Sequence, residues 1–185
     1  MSFPAIFFDR DNTLIVNDGY LGDPNGVVLV ADAAAAIVRA RSLGFKIIVI
    51  SNQSGVARGL YTEDDVRAVD ARMNELLRKA DPRAIVDRNE FCPFHPEGTV
   101  EKYRMESELR KPKPGMILKA AGEMNLDLSK SWVIGDQIRD IEAGSATGSR
   151  TILIRGARSS AIEEAKAGAV VSNLAQAIQW IADAK

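Results

Sequence analysis

Short apolar runs alternate along the chain with segments of helical periodicity, and this alternation constrains the fold more than any other feature. Apolar runs bounded by turn residues are typical of buried strands, and spacings of three or four residues are typical of amphipathic helices. Parallel strands need crossover connections, so the order predicts an α/β fold with a parallel sheet covered by helices on both faces. The predicted strands are 5–8, 46–50, 132–134, 151–154 and 170–171, and the predicted helices are 31–43, 62–78, 116–124, 137–144, 161–167 and 174–184.

The segment 89–114 departs from this alternation. It carries four prolines together with the chain's single histidine and single cysteine, and its periodicity is weak. Such composition predicts a long loop or a small insertion near a functional site. A chain of 185 residues is long enough to bury about two-thirds of its unfolded surface. We therefore expect one domain over 1–185, with this insertion loop.

Charge and composition exclude several classes of partner. Twenty-four basic residues balance 25 acidic ones, so no global field attracts nucleic acid or an anionic membrane. A single cysteine allows no internal disulfide, and no apolar run approaches the ~20 residues that a membrane span needs. The first eight residues lack the pattern of a signal peptide. These features predict a cytoplasmic protein, expected to be monomeric, with neither nucleic acid nor membrane as partner.

Polar side chains directly follow three of the predicted strands. Asp9 and Asp11 follow the first, Ser51 the second, and Asp136 the strand at 132–134. Ligands of open parallel sheets bind at the carboxyl ends of the strands, so these side chains should share one crevice. Carboxylates placed this close need a cation, and Mg²⁺ prefers oxygen ligands. The pattern predicts a Mg²⁺ site, although Asp-x-Asp alone is also common turn chemistry.

The same residue types suit phosphoryl transfer. One carboxylate can attack phosphorus while the other transfers protons, and spacing alone does not decide between Asp9 and Asp11. The transferred group also needs hydrogen-bond donors and positive charge, which Ser51 and Lys111 can supply. Taken singly, Ser51 could be a helix cap and Lys111 a solvated surface lysine.

Taken together, the motifs resemble a known family. IFFDRDNTL at 6–14, then Ser51, then Lys111, then VIGD at 133–136 resemble in order the four motifs of the haloacid dehalogenase superfamily of phosphatases. The resemblance implies a Rossmann-like core and an aspartyl-phosphate intermediate. It implies the following roles: nucleophile, Asp9; proton transfer, Asp11; phosphoryl stabilisation, Ser51 and Lys111; Mg²⁺ ligands, the Asp9 and Asp136 side chains and the Asp11 backbone carbonyl.

Three further stretches look like the heptose bisphosphate phosphatases within that superfamily: SNQSGVARG at 51–59, CPFHPEG at 92–98 and RKPKPGM at 110–116. The resemblance covers nearly the whole chain. It implies that a phosphorylated sugar is hydrolysed, with the 7-phosphate of D-glycero-D-manno-heptose 1,7-bisphosphate favoured, and that no large cap domain is present. It also implies that Arg110 recognises the uncleaved phosphate and that the substrate is lined by Asn17, Asp18, Gly19, Tyr20, Ser51, Asn52, Gln53, Ser54 and Lys111, with Gln137 as a weaker candidate.

The sequence departs from these relatives at two places. Asn12 replaces the usual glycine, which is tolerable because Asn visits left-handed backbone conformations more readily than most residues. Many relatives bind a structural zinc through four Cys and His ligands, whereas this chain has Cys92, Phe94, Ser107 and Leu109 at those positions. His95 could add only a second ligand of the four that zinc normally takes. We therefore expect no zinc.

Other functions remain open alternatives. A histidinol-phosphatase shares the chemistry, but its substrate has one phosphate and an amine, which Arg110 suits less well. A DNA 3′-phosphatase needs a basic surface that the balanced charge does not provide. A non-catalytic phosphate-binding module predicts the loss of an essential group, and none of the catalytic and metal-binding candidates is missing.

Overall fold

The computed structural model describes residues 2–17, 19–156 and 160–184. Strands and helices alternate through most of this length, as the apolar pattern predicts. The strands are β1 (Ala5–Phe8), β2 (Ile15–Val16), β3 (Val28–Leu29), β4 (Lys46–Asn52), β5 (Arg88–Cys92), β6 (Trp132–Gly135), β7 (Arg150–Ile154) and β8 (Ala169–Val171). The helices are α1 (Ala33–Ser42), α2 (Ser54–Ala57), α3 (Glu63–Ala80), α4 (Gly115–Met124), α5 (Ile138–Ser145), α6 (Ala161–Glu164) and α7 (Leu174–Asp183).

Six strands form one parallel sheet in the order β5-β4-β1-β6-β7-β8. β1 lies at its centre, where Phe8 is paired with Val49 of β4 on one side and Ile134 of β6 on the other. Strands that follow β1 in the chain lie on both sides of it, β4 and β5 on one side and β6 to β8 on the other. Because the strands are parallel, the carboxyl ends of β4, β1 and β6 lie at one edge of the sheet. Open α/β sheets bind ligands at this edge, where the strand order switches sides.

Two apolar cores cover the two faces of the sheet. Because side chains alternate along a strand, Ile6 and Phe8 of β1 enter one core while Ala5 and Phe7 enter the other. The first core is completed by α1, α3 and α7, and the second by α4 and a residue of α5. Helices on both faces confirm the predicted fold class.

The main differences from the sequence prediction are short strands. β5 forms within the segment predicted to be a loop, and it pairs with the edge of the sheet next to β4. The apolar pattern does not reveal β5, because three of its five residues are polar or charged. One of them, Glu90, is buried and forms ion pairs with Arg88 at 2.5 Å and Lys119 at 3.0 Å. β2 and β3 form a two-residue antiparallel pair, too short to show alternation. Between β1 and β4 the described residues form only this pair, a short 3-10 turn and α1, so no large cap is inserted there.

The longest helix, α3, has a well-defined start. Thr62 accepts a hydrogen bond from the Asp65 N–H, and the Asp65 carboxylate accepts one from the Thr62 N–H, which completes a capping box. Its buried face carries Val69 and Leu77 at helical spacing. No helix in the described ranges combines the length and apolar character needed to cross a bilayer.

Replacing Leu77 by Ala should lower the free energy of unfolding by about 2–5 kcal/mol, because it empties space in a closely packed core. Leu118→Ala is the matched control: Leu118 is 51% exposed on α4, and its loss should cost less than about 0.5 kcal/mol. Urea denaturation followed by circular dichroism measures both. Equal losses would contradict the assignment of Leu77 to the core.

Candidate active site

The carboxyl edge of the sheet brings three predicted residues together. Asp9 directly follows β1, Ser51 is the second-last residue of β4, and Asp136 directly follows β6. The Asp9 N–H donates to the Ile134 carbonyl at 2.9 Å, which continues the ladder beyond β1 and fixes the backbone of Asp9. The prediction that residues after the apolar runs would share one edge therefore agrees with the structure.

Lys111 reaches this edge from the loop before α4 and is almost completely buried. Its Nζ lies 2.6 Å from Asp9 Oδ1 and 2.7 Å from Asp140 Oδ1, and donates to the Ile50 carbonyl at 2.8 Å. Burial alone lowers the pKa of Lys111, but Asp140 and Asp9 outweigh it and raise the pKa. The ammonium group therefore stays charged beside Asp9.

Asn52 ties the Lys111 loop to the sheet. Its side-chain Oδ1 accepts from the Lys111 N–H at 3.0 Å, while its Nδ2 donates to the Lys111 carbonyl at 2.9 Å. The two bonds fix the backbone of Lys111 from both sides at the end of β4. Asn52 was predicted to line the substrate, and it lines the cavity described below while also holding this loop.

Asp9, Asp136 and Asp140 form an acidic cluster in which one carboxylate oxygen of each lies within 4.8 Å of the others. Burial raises the pKa of Asp9 to about 8, with Asp140 adding to the rise and Lys111 opposing it. Burial likewise raises the pKa of Asp136, whose Oδ1 is buried without a hydrogen-bond partner among the described residues. When all three carboxyl groups are ionised, they and one ammonium group leave two negative charges uncompensated, which fits a divalent cation with oxygen ligands.

Asp140 was not identified from the sequence. It lies in the first turn of α5, where its Oδ2 accepts from the Gln137 N–H at 3.1 Å, so it also caps the helix. Gly135 makes this approach possible, because a Cβ there would lie 2.2 Å from Asp140 Oδ2. The available signal was an acid four residues after Asp136 in a helix that follows directly on a strand.

The Asp11 carboxylate is not part of the acidic cluster and accepts hydrogen bonds from a set of donors. Oδ1 accepts from Asn17 Nδ2 at 2.6 Å, and Oδ2 accepts from Gln53 Nε2 at 2.9 Å and from Ser51 Oγ at 3.2 Å. The next residue, Asn12, has φ 60°, in the left-handed region that the sequence analysis anticipated. The Asn12 N–H donates to the Ile15 carbonyl at 2.7 Å, which holds the turn between Asp11 and β2.

Arg10 contacts the Asp11 carboxylate and has no exposed surface. Its Nη1 donates to Asp70 Oδ1 of α3 at 2.9 Å, and its Nη2 lies 3.3 Å from both carboxylate oxygens of Asp11. A buried guanidinium is tolerated only when such partners offset its lost hydration. The pair therefore links α3 to the loop after β1.

A polar cavity of about 370 Å³ opens above this edge. Most of the predicted substrate-binding residues line it, whereas Ser51 and Lys111 are buried and do not line it, and Asp18 lies outside the described residues. Lining residues that were predicted are Asn17, Gly19, Tyr20, Asn52, Gln53, Ser54, Arg110 and Gln137. Lining residues that sequence reasoning missed are Asn12, Tyr61 and Arg139.

Positive charge gathers at one side of the cavity. Arg110 and Arg139 line it, and Arg58 lies close enough that both neighbours, after burial, lower the pKa of Arg110. Within the described chain neither Arg110 nor Arg139 forms an ion pair with a carboxylate. Arg110 instead donates only a long bond, 3.4 Å, to the Phe94 carbonyl. These guanidinium groups are free to bind an anion.

The positions that hold zinc in many relatives have other partners here. Cys92 is buried, and its Sγ lies 3.8 Å from the Phe94 carbonyl. Phe94 and Leu109 pack against the second core. His95 accepts from the Glu97 N–H at 3.0 Å through Nδ1 and lies 3.5 Å from Arg58 through Nε2. Apolar packing and hydrogen bonds therefore hold this loop in place.

Comparison with known proteins agrees with this fold and site. A family model described as HAD-hydrolase-like matches residues 108–177. A D,D-heptose 1,7-bisphosphate phosphatase from B. bronchiseptica, solved with magnesium and phosphate, superposes with a TM-score of 0.82 at 25% identity, covering 98% of this chain and 99% of that one. The fold is that of the haloacid dehalogenase-like hydrolases, and the class of phosphoric monoester hydrolases predicted from the motifs is confirmed.

Curated relatives narrow the class. A D-glycero-beta-D-manno-heptose-1,7-bisphosphate 7-phosphatase from Rhodopseudomonas palustris is 44% identical over 145 residues, covering 78% of this chain and 79% of that protein. A D-glycero-alpha-D-manno-heptose-1,7-bisphosphate 7-phosphatase from Burkholderia mallei is 37% identical over 177 residues, covering 96% and 93%. The chain belongs to the family of heptose-1,7-bisphosphate 7-phosphatases, which confirms the resemblance of its motifs.

Replacing Asp70 by Ala should lower the free energy of unfolding by about 3–5 kcal/mol, because Arg10 would keep a buried charge without its α3 partner. Asp64→Ala is the control, since Asp64 also pairs with an arginine of α3 but is 93% exposed. That change should cost less than about 1 kcal/mol. The denaturant midpoints of the two variants measure both losses. Similar midpoints would contradict the conclusion that the buried Arg10–Asp70 ion pair stabilises the fold.

Proposed function

We propose that this chain hydrolyses the 7-phosphate of D-glycero-D-manno-heptose 1,7-bisphosphate through a phosphorylated Asp9. The observation that carries the proposal is the placement of Asp9 at the end of the central strand, 2.6 Å from the Lys111 ammonium, at the sheet edge where Asp11 and Asp136 line a polar cavity. Relatives of both anomeric names match most of the chain, so either anomer of the sugar is a candidate. The whole chain is proposed to act as one domain.

The acidic cluster supports Mg²⁺ as the cation. Asp9 and Asp136 would hold it through their carboxylates and Asp11 through its backbone carbonyl, with the Asp140 carboxylate close by. The unpartnered Asp136 Oδ1 is suited to a metal ligand. When bound, Mg²⁺ supplies positive charge that favours the ionised form of Asp9 and offsets repulsion between carboxylate and phosphate.

The residues then divide the reaction into two displacements. An oxygen of Asp9 attacks phosphorus, and the bond from phosphorus to the sugar oxygen breaks. The sugar oxygen keeps the electron pair of that bond and receives a proton from Asp11. In the second step Asp11 removes a proton from water, the water oxygen attacks phosphorus, and the bond from phosphorus to the Asp9 oxygen breaks. The electron pair stays on Asp9, which is regenerated as a carboxylate, and inorganic phosphate is released. Lys111 remains charged below Asp9 and offsets the negative charge of the transferred group.

The arginines at the side of the cavity support a bisphosphate substrate. Arg110 was predicted to recognise the uncleaved phosphate, and Arg139 adds a second guanidinium to the same wall. Guanidinium groups bind phosphate in bidentate geometry, and neither group is committed to a described carboxylate. The ammonium group of histidinol phosphate would be repelled at this wall, which disfavours the alternative substrate.

A non-catalytic phosphate-binding module is the alternative of a different class. It is disfavoured because Asp9, Asp11, Ser51, Lys111 and Asp136 are all present and gathered at one edge. A monomeric state, a cytoplasmic location and the absence of zinc stay predictions from the sequence.

The proposal is tested by phosphate release in the presence of Mg²⁺. Both anomers of the heptose bisphosphate and histidinol phosphate are compared by kcat/KM, with Asp9→Asn as the inactive control. We expect a large preference for one heptose anomer, dependence on Mg²⁺, and no turnover by the variant. A preference for histidinol phosphate would replace the proposed substrate, and binding of Mg²⁺ without any turnover would favour the non-catalytic module.

Replacing Arg110 by Ala should lower kcat/KM for the heptose bisphosphate by about 10- to 100-fold, the range of one charge-assisted contact. Turnover of 4-nitrophenyl phosphate, which has no second phosphate, should be nearly unchanged. Arg104→Ala serves as the control, because Arg104 is exposed in the same loop and does not line the cavity. Equal losses on both substrates would place Arg110 in the chemical step instead.

A further inference from the structure

Tyr61 begins a chain of hydrogen bonds that ends at the Asp11 carboxylate. Its hydroxyl donates to Gln53 Oε1 at 2.9 Å. The other end of the same amide, Nε2, donates to Asp11 Oδ2 at 2.9 Å and lies 2.6 Å from Ser51 Oγ. Gln53 is buried, so its amide depends on these partners for its position.

The position of the Tyr61 hydroxyl is set by the surrounding backbone. A Cβ at Gly55 would lie 2.2 Å from Tyr61 Cζ, and a Cβ at Gly22 would lie 2.6 Å from Tyr61 Cβ, so both glycines are in close contact with the side chain. Tyr61 also directly precedes Thr62, whose capping box fixes the start of α3. Burial raises the pKa of Tyr61 to about 12, so the hydroxyl keeps its proton and remains a donor.

The orientation of the amide follows from its neighbours. With Nε2 toward Asp11, the amide donates to the carboxylate; turned over, it would place Oε1 against Oδ2 with two acceptors facing each other. Tyr61 supplies the donor that Oε1 then needs. Without that hydroxyl, Oε1 loses its hydrogen-bond donor among the described residues, and the amide no longer has a fixed position from which to hold Asp11.

We propose that Tyr61 is a positioning residue that fixes the Gln53 amide, and through it the Asp11 carboxyl group, for proton transfer to the leaving oxygen. The inference rests on the proposed function, because it assumes that Asp11 protonates the leaving group. Asn17, Ser51 and Arg10 also contact Asp11, so the loss of Tyr61's hydroxyl weakens the arrangement without destroying it.

The test is Tyr61→Phe, which removes the hydroxyl and keeps the ring. Benzyl phosphate and 4-nitrophenyl phosphate are compared by kcat/KM, which reports the steps through phosphorylation of Asp9. Benzyl alcohol leaves as a poor anion that needs a proton, whereas nitrophenolate leaves without one. We expect kcat/KM for benzyl phosphate to fall by about 10-fold and that for 4-nitrophenyl phosphate to stay within about 2-fold.

Tyr103→Phe is the matched control, since the Tyr103 hydroxyl donates to Glu63 at 2.6 Å and does not line the cavity. Gln53→Met is a second variant, which removes both the donor and the acceptor of the amide. In this variant too, kcat/KM should fall more for benzyl phosphate than for 4-nitrophenyl phosphate. Unfolding midpoints of all variants accompany the kinetics.

Selective loss on benzyl phosphate in Tyr61→Phe, absent from Tyr103→Phe, supports the inference. Equal loss on both esters, or no loss, overturns it and leaves the phosphatase proposal standing. Absence of turnover of the heptose bisphosphate by the unmodified protein would instead overturn the proposed function. The two failures are therefore distinguishable.

Discussion

The buried ammonium group of Lys111 is the interaction on which the rest of the edge depends. A lysine ammonium has three N–H donors, and here three acceptors surround it: Asp9, Asp140 and the Ile50 carbonyl. These partners come from the end of β1, the start of α5 and the interior of β4. A charge buried without such partners would be strongly destabilising, so this single group ties three elements and a loop together.

Around that centre the two aspartates of the first motif acquire different surroundings. Asp9 lies with Asp136 and Asp140, where burial and like charge raise its pKa and favour a cation. Asp11 turns toward amide, hydroxyl and guanidinium donors. Two carboxylates that are equivalent in sequence spacing thereby acquire the different surroundings that the proposed roles in attack and in proton transfer require.

Much of this arrangement could be predicted from the sequence, for identifiable reasons. Apolar runs such as 5–8 give the buried strands of a parallel sheet, and the rule for its carboxyl edge brings Asp9, Ser51 and Asp136 together. β5 was missed because its buried Glu90 is compensated by ion pairs that no local pattern reveals. Tyr61 was missed because its proximity to the site depends on how the segment before α3 packs. Arg139 and Asp140 are close to Asp136 in sequence, but the sequence alone does not show that α5 brings their side chains to the cavity and to Lys111.

The central claim is that Asp9 carries the phosphoryl group between the two displacements. Acid quenching during turnover of the heptose bisphosphate with Mg²⁺, followed by proteolysis and mass spectrometry, locates the modified residue directly. The account predicts one phosphoryl group on Asp9, formed and lost at rates consistent with turnover. A phosphoryl group on another residue, or phosphate release in a single turnover with Asp9 unmodified throughout, would contradict it.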